Sequence, residues 1–411
     1  MSNYSNVQFL GYAIPTIPLI VSDVGDPNGP GFVEGRYIGI DPPAKDIDER
    51  IAMIINAAQQ TLASSAFDPD PATLKIFVVP EFSIRGTSGA YNDDPSTDDY
   101  FTYFRTGFAK AAAAASFQNW LFAIGTVVTT VQECPDPSTN LKARVREDLA
   151  VALGNAWQYA NANHEDKMAN AVFNLLVSYT QYCHSDPMFG VTNRCFVVAG
   201  GAPDPVYPQG LSIEKKFISN EDFVLNLYTN AFAEEDVVYP DIDEKDGEAK
   251  QTAFDPLSIF TIDGIKFGVE VCLDHSRARL RRNRQPETEL VQIQLIPSCG
   301  MQIVQGSIVA GKNGLVFNCD GQYDNLDPTS HPNATSSVWM ATESNRAHTQ
   351  LTSVVTPCAG NTPGTNDAVV AKPSATVTRL MVVDSTAAPQ LFAYGSGEVH
   401  IYTSLPIPPP G

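Results

Sequence analysis

The chain has 411 residues, 43% of them hydrophobic, and a formal net charge of -20. Such a length and apolar share allow a large core, and the acidic balance argues against nucleic acid or an anionic membrane as a partner. No apolar run reaches the roughly 18 residues of a membrane span, and the polar, uncharged start at Met1–Val7 lacks the basic flank and apolar block of a secretory leader, so a soluble, cytoplasmic protein is expected.

Taken in chain order, strands alternate with helices, the pattern of packed α/β layers. Val7–Tyr12 is the first expected strand. Asp46–Ser64 follows as an amphipathic helix, with Ile51, Ile54, Ile55 and Ala58 at helical spacing. Lys75–Val79 is a short apolar strand stopped by Pro80, Thr102–Phe117 an Ala-rich helix, Trp120–Val131 a strand and Leu141–Ala162 a helix. Strands then dominate, at Asn170–Tyr179, Arg194–Ala199 and Leu257–Thr261. The Asp263-Gly264 turn leads into Ile265–Val271. The basic segment Ser276–Arg284 is expected as a surface helix, and Val291–Ile296 as a strand ended by Pro297. Ile303–Ala310 and Leu315–Asn318 flank a turn at Lys312–Gly314. Thr376–Val383 and Glu398–Thr403 are the last strands, before a Pro-rich tail at Pro406–Gly411.

Four stretches have loop composition: Val21–Pro43, the acidic Glu234–Ala253, Gly321–Ser336 and Thr356–Lys372. None has the character of a linker between independent domains. One elaborated domain over 5–385 is expected, with 386–411 as a C-terminal extension.

The seven cysteines are Cys134, Cys183, Cys195, Cys272, Cys299, Cys319 and Cys358. Their number is odd, their spacing wide, and no CxxC pair occurs, so neither a zinc site nor a thioredoxin-like site is expected. Buried thiols in a reducing compartment are the simpler reading for most of them.

Three segments carry groups suited to chemistry. In Phe77-Val78-Val79-Pro80-Glu81-Phe82 a carboxylate stands just past a strand end, where layered α/β folds open their crevices; partial desolvation there raises its proton affinity toward that of a general base. In Gly268-Val269-Glu270-Val271-Cys272-Leu273-Asp274-His275 a cysteine stands between a strand and a helix start, where the positive helix end and backbone N–H groups favour thiolate and can hold an oxyanion. In Ile213-Glu214-Lys215-Lys216-Phe217-Ile218 a lysine is available to stabilise negative charge.

In the order Glu, Lys, Cys these segments resemble the nitrilase superfamily of carbon–nitrogen hydrolases. Pro80-Glu81-Phe82 matches its glutamate motif, and Gly268 to Asp274 its Gly-x-x-x-Cys-x-Asp motif. Asn119-Trp120-Leu121-Phe122-Ala123-Ile124-Gly125, Leu295-Ile296-Pro297-Ser298 and Asn313-Gly314-Leu315-Val316-Phe317-Asn318 look like further strands of that family, so the resemblance runs from about Val7 to Val383 with large insertions. The lysine motif departs from the pattern. Lys215 has Ile213 where members usually have an aromatic residue; it aligns better than Lys216, but both stay open. Asp222, seven places beyond Lys215, stands where many members carry a second acidic residue, and Thr180–Arg194 is an insertion ahead of the lysine.

The resemblance implies a four-layer α-β-β-α sandwich and hydrolysis of a non-peptide C–N bond in a small molecule, an amide rather than a nitrile. Glu81 would be the base, Cys272 the nucleophile, and Lys215 with the N–H of Leu273 the stabilisers of negative charge, with no metal or organic cofactor. A homodimer or larger homo-oligomer is implied too. The alternatives are an amide-forming or acyl-transfer variant of the same site, and a catalytically silent binding or assembly module.

Other segments have a plainer reading. His275 is expected to be structural or to stand behind the nucleophile. Asp241 to Gly247 misses the calcium-loop spacing and is taken as a solvated acidic loop, Gly395-Ser396-Gly397 is an incomplete nucleophile elbow, and Asn333-Ala334-Thr335 is an idle sequon. Arg277–Arg284 is a basic patch, expected as a surface helix paired to acidic loops.

Overall fold

The computed structural model describes residues 3–17, 19–23, 33–93, 99–133, 141–162, 167–168, 170–172, 188–217, 237–238, 258–283, 290–321, 349–364, 366–383 and 388–410. They form a mixed α/β fold with two large sheets and few helices.

The first sheet has ten strands. Its centre is β1 (Asn6–Ala13), parallel to β4 (Thr73–Val79), which runs parallel to β6 (Trp120–Glu133). Beyond β6, antiparallel pairing adds β7 (Met188–Ala199) and β8 (Leu211–Glu214). On the other side of β1 lie β17 (Glu398–Tyr402) and β16 (Val377–Met381). Three short strands, β5 (Tyr91–Asp93), β9 (Val237–Val238) and β18 (Leu405–Pro406), pair with β6, β7 and β1. The stretch 386–411 thus supplies a strand that lies directly against β1.

The second sheet has six strands in chain order: β10 (Ile259–Ile262), β11 (Ile265–Val269), β12 (Val291–Ser298), β13 (Ala310–Asp320), β14 (Gln350–Thr356) and β15 (Val369–Ala371). Strands β11, β12 and β13 are mutually parallel. A separate hairpin joins β2 (Leu19–Asp23) to β3 (Val33–Arg36).

Side chains alternate across each strand, and this assigns the layers. Val7, Phe9, Leu74, Ile76, Val78, Leu121, Ala123, Cys195 and Val197 point from the first sheet into one core shared with Phe267, Val269, Ile293, Leu295, Leu315 and Phe317 of the second. The rings of Phe9 and Phe317 meet there with centroids 5.1 Å apart. The alternate residues, among them Leu10, Tyr12, Phe77, Val79, Phe122 and Phe196, face helices α1 (Pro43–Leu62) and α2 (Tyr100–Ala112). Helix α1 buries Ile47, Ile51, Ile54 and Ala58; helix α2 buries Phe101, Phe104, Phe108 and Ala112, one stripe on each. Helix α2 starts at Asp99, whose carboxylate accepts the N–H of Thr102 at 2.8 Å. Helix α3 spans Leu141–Ala162, as expected.

The outer face of the second sheet packs Val291, Ile296, Val316 and Val354 against Leu280, Ile308, Val309 and Cys358. Its cover includes the short helices α4 (Leu273–Ser276) and α5 (Arg279–Asn283) and the loop after β12. The last short helix, α6, spans Ala388–Leu391. No described helix is long and apolar enough to cross a membrane.

Several expected elements take another form. Residues 170–172 are helical where a strand was expected, and 173–179 lie outside the described residues. Ile303–Ala310 is not a strand: it holds a single 3-10 turn at Gln305–Ser307, and β13 begins only at Ala310. Around Lys312–Gly314 this strand bulges, since Val291 pairs with Ala310 but Ile293 already with Leu315, and Asn313 has φ 65. Pairing also extends β12 past Pro297 to Ser298, because Pro297 lacks only a donor and its carbonyl still serves the ladder. The composition-based loops at Val21–Pro43 and Thr356–Lys372 include β3 and β15, whose order comes from strand pairing.

The basic segment is not a surface helix. It breaks at Ala278, where φ is 54, into α4 and α5. Arg279 and Arg281 are buried, paired with Asp274 and Asp367. The pairing with acidic residues is as expected, but the buried Asp274 and the half-buried Asp367 hold these guanidinium groups inside the fold and not on its surface.

Candidate active site

The three sequence-selected side chains converge. Glu81 follows β4, Cys272 follows β11, and Lys215 follows β8, so each is delivered by a strand end. Lys215 Nζ stands 2.8 Å from Glu81 Oε1, and both side chains are fully buried. The Cys272 thiol lies close enough to the same carboxylate to feel its charge.

Strand β12 holds two of these segments in place. The carbonyl of Pro297 accepts the N–H of Cys272 at 3.0 Å, and the next carbonyl, Ser298, accepts the N–H of Glu81 at 3.2 Å. Neighbouring atoms of one strand therefore fix base and sulfur relative to each other. Close approach from the other side is allowed by Gly125: a Cβ there would lie 2.0 Å from the Pro80 carbonyl oxygen, inside any possible contact. Phe82, with φ 63, turns the chain sharply just after the glutamate and donates its N–H to Thr126 Oγ1 at 3.0 Å.

Cys272 itself has φ 44 and ψ -107, a sparsely populated conformation for a residue with a side chain. Its carbonyl accepts the N–H of His275 at 2.8 Å, which closes the turn into α4. Sγ is directed at the carbonyl of Cys299, 3.7 Å away. Burial pushes the thiol well above its ordinary range, and the Glu81 carboxylate adds to this; Lys215 and the bond to Cys299 pull the other way without prevailing. The expected thiolate is therefore not the resting form. A helix of four residues offers little field, and loss of water around sulfur outweighs it.

Of the two lysines, Lys215 enters the site. Lys216 points outward, 3.1 Å from Glu214, with its side chain 37% exposed. Asp222 lies outside the described residues. Asp274, two residues past Cys272, accepts the N–H groups of Lys216 and Phe217 and pairs with Arg279 at 3.0 Å. The cysteine turn is thereby tied to the strand end that carries Lys215.

Three contributors escaped the sequence reading. Asn193 donates from Nδ2 to Glu81 Oε1 at 3.1 Å. It shares the inner face of β7 with Cys195 and Val197, so a polar residue in an apolar row was the available signal. Glu270 is buried and accepts from Leu280 N at 2.6 Å, Gln294 Nε2 at 2.8 Å and His275 Nδ1 at 2.8 Å. Since His275 Nε2 accepts the N–H of Val304 at 2.9 Å, its proton sits on Nδ1; this histidine braces the turn behind the sulfur. Cys299 stands beside the nucleophile with its thiol pushed up by burial, by Asp320 and by Glu81. No described cluster of His, Cys, Asp or Glu has the form of a metal site.

No family model and no curated protein sequence matches the chain. Among solved structures, an amidase from Nesterenkonia sp. overlaps 78% of this chain and 76% of its own at 10% identity, with a TM-score of 0.30. A cysteine-to-serine mutant of the Nesterenkonia AN1 amidase, from the nitrilase superfamily, gives 9% identity over 77% of both chains and a TM-score of 0.31. A further form of that amidase, with the acetamide moiety of fluoroacetamide added covalently at its active-site cysteine, gives 10%, 78% and 76%, and 0.31. Overlap this slight assigns neither fold family nor function.

Proposed function

We propose that this protein is a cysteine-dependent carbon–nitrogen hydrolase of the nitrilase type, acting on a small-molecule amide. The observation that carries the reading is the convergence, inside one buried site, of Lys215 and the Cys272 thiol on the Glu81 carboxylate. A buried ion pair built from strand ends far apart in sequence is an expensive structural device, and a thiol placed against it has a ready acceptor for its proton.

In this reading the neutral thiol gives its proton to Glu81 as sulfur attacks the amide carbon. Lys215 and the N–H of Leu273 stabilise the negative charge on oxygen. The C–N bond breaks, and protonated Glu81 passes its proton to the leaving amine. Water then attacks the thioester, giving one proton to Glu81, which returns it to sulfur. Asn193 helps to hold Glu81 in position by donating to Oε1, the oxygen that Lys215 also meets. The architecture is taken as the four-layer sandwich, with α5 and the loop after β12 standing in the outer layer of the second sheet. The five described cysteines are free, in keeping with a reducing compartment.

Ammonia release from a panel of short amides tests the proposal. The wild-type protein is expected to release ammonia, and Cys272→Ala to release none while keeping its melting temperature within a few degrees. Full activity in Cys272→Ala would rule out the assigned nucleophile.

A further inference from the structure

The buried carboxylate of Glu270 has three neutral donors while the imidazole beside it is neutral: Leu280 N, Gln294 Nε2 and His275 Nδ1. By contrast, buried Glu81 has Lys215 and buried Asp274 has Arg279. A second proton on the imidazole would give Glu270 a counter-ion at 2.8 Å. That proton has to enter at Nε2, which accepts the N–H of Val304 at 2.9 Å. Two donors would then face each other, and an N–H stripped of its acceptor is costly. One side of the ring therefore favours the proton and the other opposes it.

The loop that presents Val304 is pinned on both sides. Gly300 donates to Asp320 at 2.6 Å, and the Met301 carbonyl accepts from Asn318 at 2.7 Å. Farther on, the Gly306 carbonyl accepts from Arg281 and the Val309 N–H is held by Gln294, both at 2.8 Å. The turn that presents His275 is weaker. Helix α4 has four residues and stands between two left-handed ones, Cys272 at φ 44 and Ala278 at φ 54. The His275 N–H bonds the Cys272 carbonyl at 2.8 Å, so a displaced His275 carries the nucleophile with it. Of the charged groups packed nearby, Glu270 on β11 meets the ring; Asp274 pairs with Arg279, and Arg281 with Asp367. Strand β12 presents the neutral Gln294.

We infer that His275 is a positioning residue with a proton-operated latch: a proton on Nε2 releases Val304, displaces the Cys272 turn and lowers turnover, and loss of that proton restores all three. The effect on turnover rests on the amide-hydrolase reading above; the latch between His275 and Val304 does not. The proton comes from solvent and returns to it. No covalent bond to carbon or sulfur changes.

Hydrogen exchange of the Val304 amide, corrected for its intrinsic rate, is compared at about pH 8 and about pH 5. In the wild type its protection is expected to fall by about tenfold or more at the lower pH. In His275→Gln, which keeps an acceptor for Val304 that takes no proton, protection should stay constant. The ratio of kcat at the higher pH to kcat at the lower should be about tenfold larger in wild type than in His275→Gln, because protonation of Glu81 affects both alike. Val304→Pro deletes the N–H, and its kcat ratio should match that of His275→Gln. Urea midpoints at both pH values show whether each variant is folded. Constant protection in the wild type overturns the latch. Protection lost at low pH, with equal kcat ratios in wild type and Val304→Pro, overturns its effect on turnover and leaves the Glu81–Lys215–Cys272 reading standing. If no amide is hydrolysed, the hydrolase reading fails, and Val304 exchange in the wild type then decides the latch alone.

Discussion

The carboxylate of Asp274 accepts the backbone N–H of Phe217 at 2.8 Å. That bond links the turn carrying Cys272 to the strand end carrying Lys215, and Arg279 balances the buried charge from α5. Removing the carboxylate leaves Arg279 buried without its acid and frees two segments to drift. Asp274→Ala is expected to lose about 3 kcal/mol of stability by urea denaturation and most of kcat, with Asp274→Asn intermediate in both. A variant with full kcat would show that this tether is unnecessary.

The two lysines separate cleanly. Lys215→Ala strips the buried Glu81 of its ion pair and is expected to cost roughly 3–5 kcal/mol in unfolding free energy, together with turnover. Lys216 meets Glu214 at the surface, so Lys216→Ala should change stability by less than about 1 kcal/mol and leave the rate unchanged. Kinetics and urea melts on the pair of variants measure both effects.

Because burial holds the Cys272 thiol neutral, its reactivity depends on a local base. Iodoacetamide near neutral pH should label Cys272 ahead of the other buried thiols, and Glu81→Gln should slow that labelling by about 100-fold or more. Equal rates in wild type and variant would mean that Glu81 does not take the proton.

Thiol burial also sets a pH dependence of stability. Burial raises the Cys195 thiol far above its unfolded value. Below about pH 8.5 it is protonated in both states and contributes no slope; above that, the unfolded chain ionises and the folded one does not, so stability is lost as pH rises. Each such thiol contributes a loss of about 1.4 kcal/mol per pH unit in that range. In Cys195→Ala the decline between pH 9 and 10 should be shallower than in wild type by that amount, read from urea midpoints.

Gly125 permits the contact between β6 and the turn that carries Glu81. Gly125→Ala puts a methyl into the Pro80 carbonyl, so it is expected to cost at least about 2 kcal/mol and to reduce kcat by displacing the base. Melting curves and kinetics on the variant check this, and a fully active, equally stable protein would show that the strand can yield.

The sequence by itself determined the local elements and the chemical groups. Apolar stripes on α1 and β-branched runs at β4 and β12 were legible because burial imposes a period on neighbouring residues. Glu81 and Cys272 were legible because each stands where a strand ends, whereas Lys215 came only through the family resemblance and stayed open against Lys216 until the fold placed it beside Glu81. Tertiary structure alone decided what depends on partners distant in the chain. Carboxylates at 274 and 367 hold Arg279 and Arg281 inside the fold, and the segment breaks at Ala278 into two short helices. Close burial converted an expected thiolate into a neutral thiol. Pairing with β1 made Glu398–Tyr402 part of the main sheet. Asn193 became a neighbour of Glu81 only when β7 folded against β6. Periodicity reports which face of an element is buried, whereas an ion pair, a desolvated thiol or a bond to a carboxylate depends on distances that exist only after the sheets have packed.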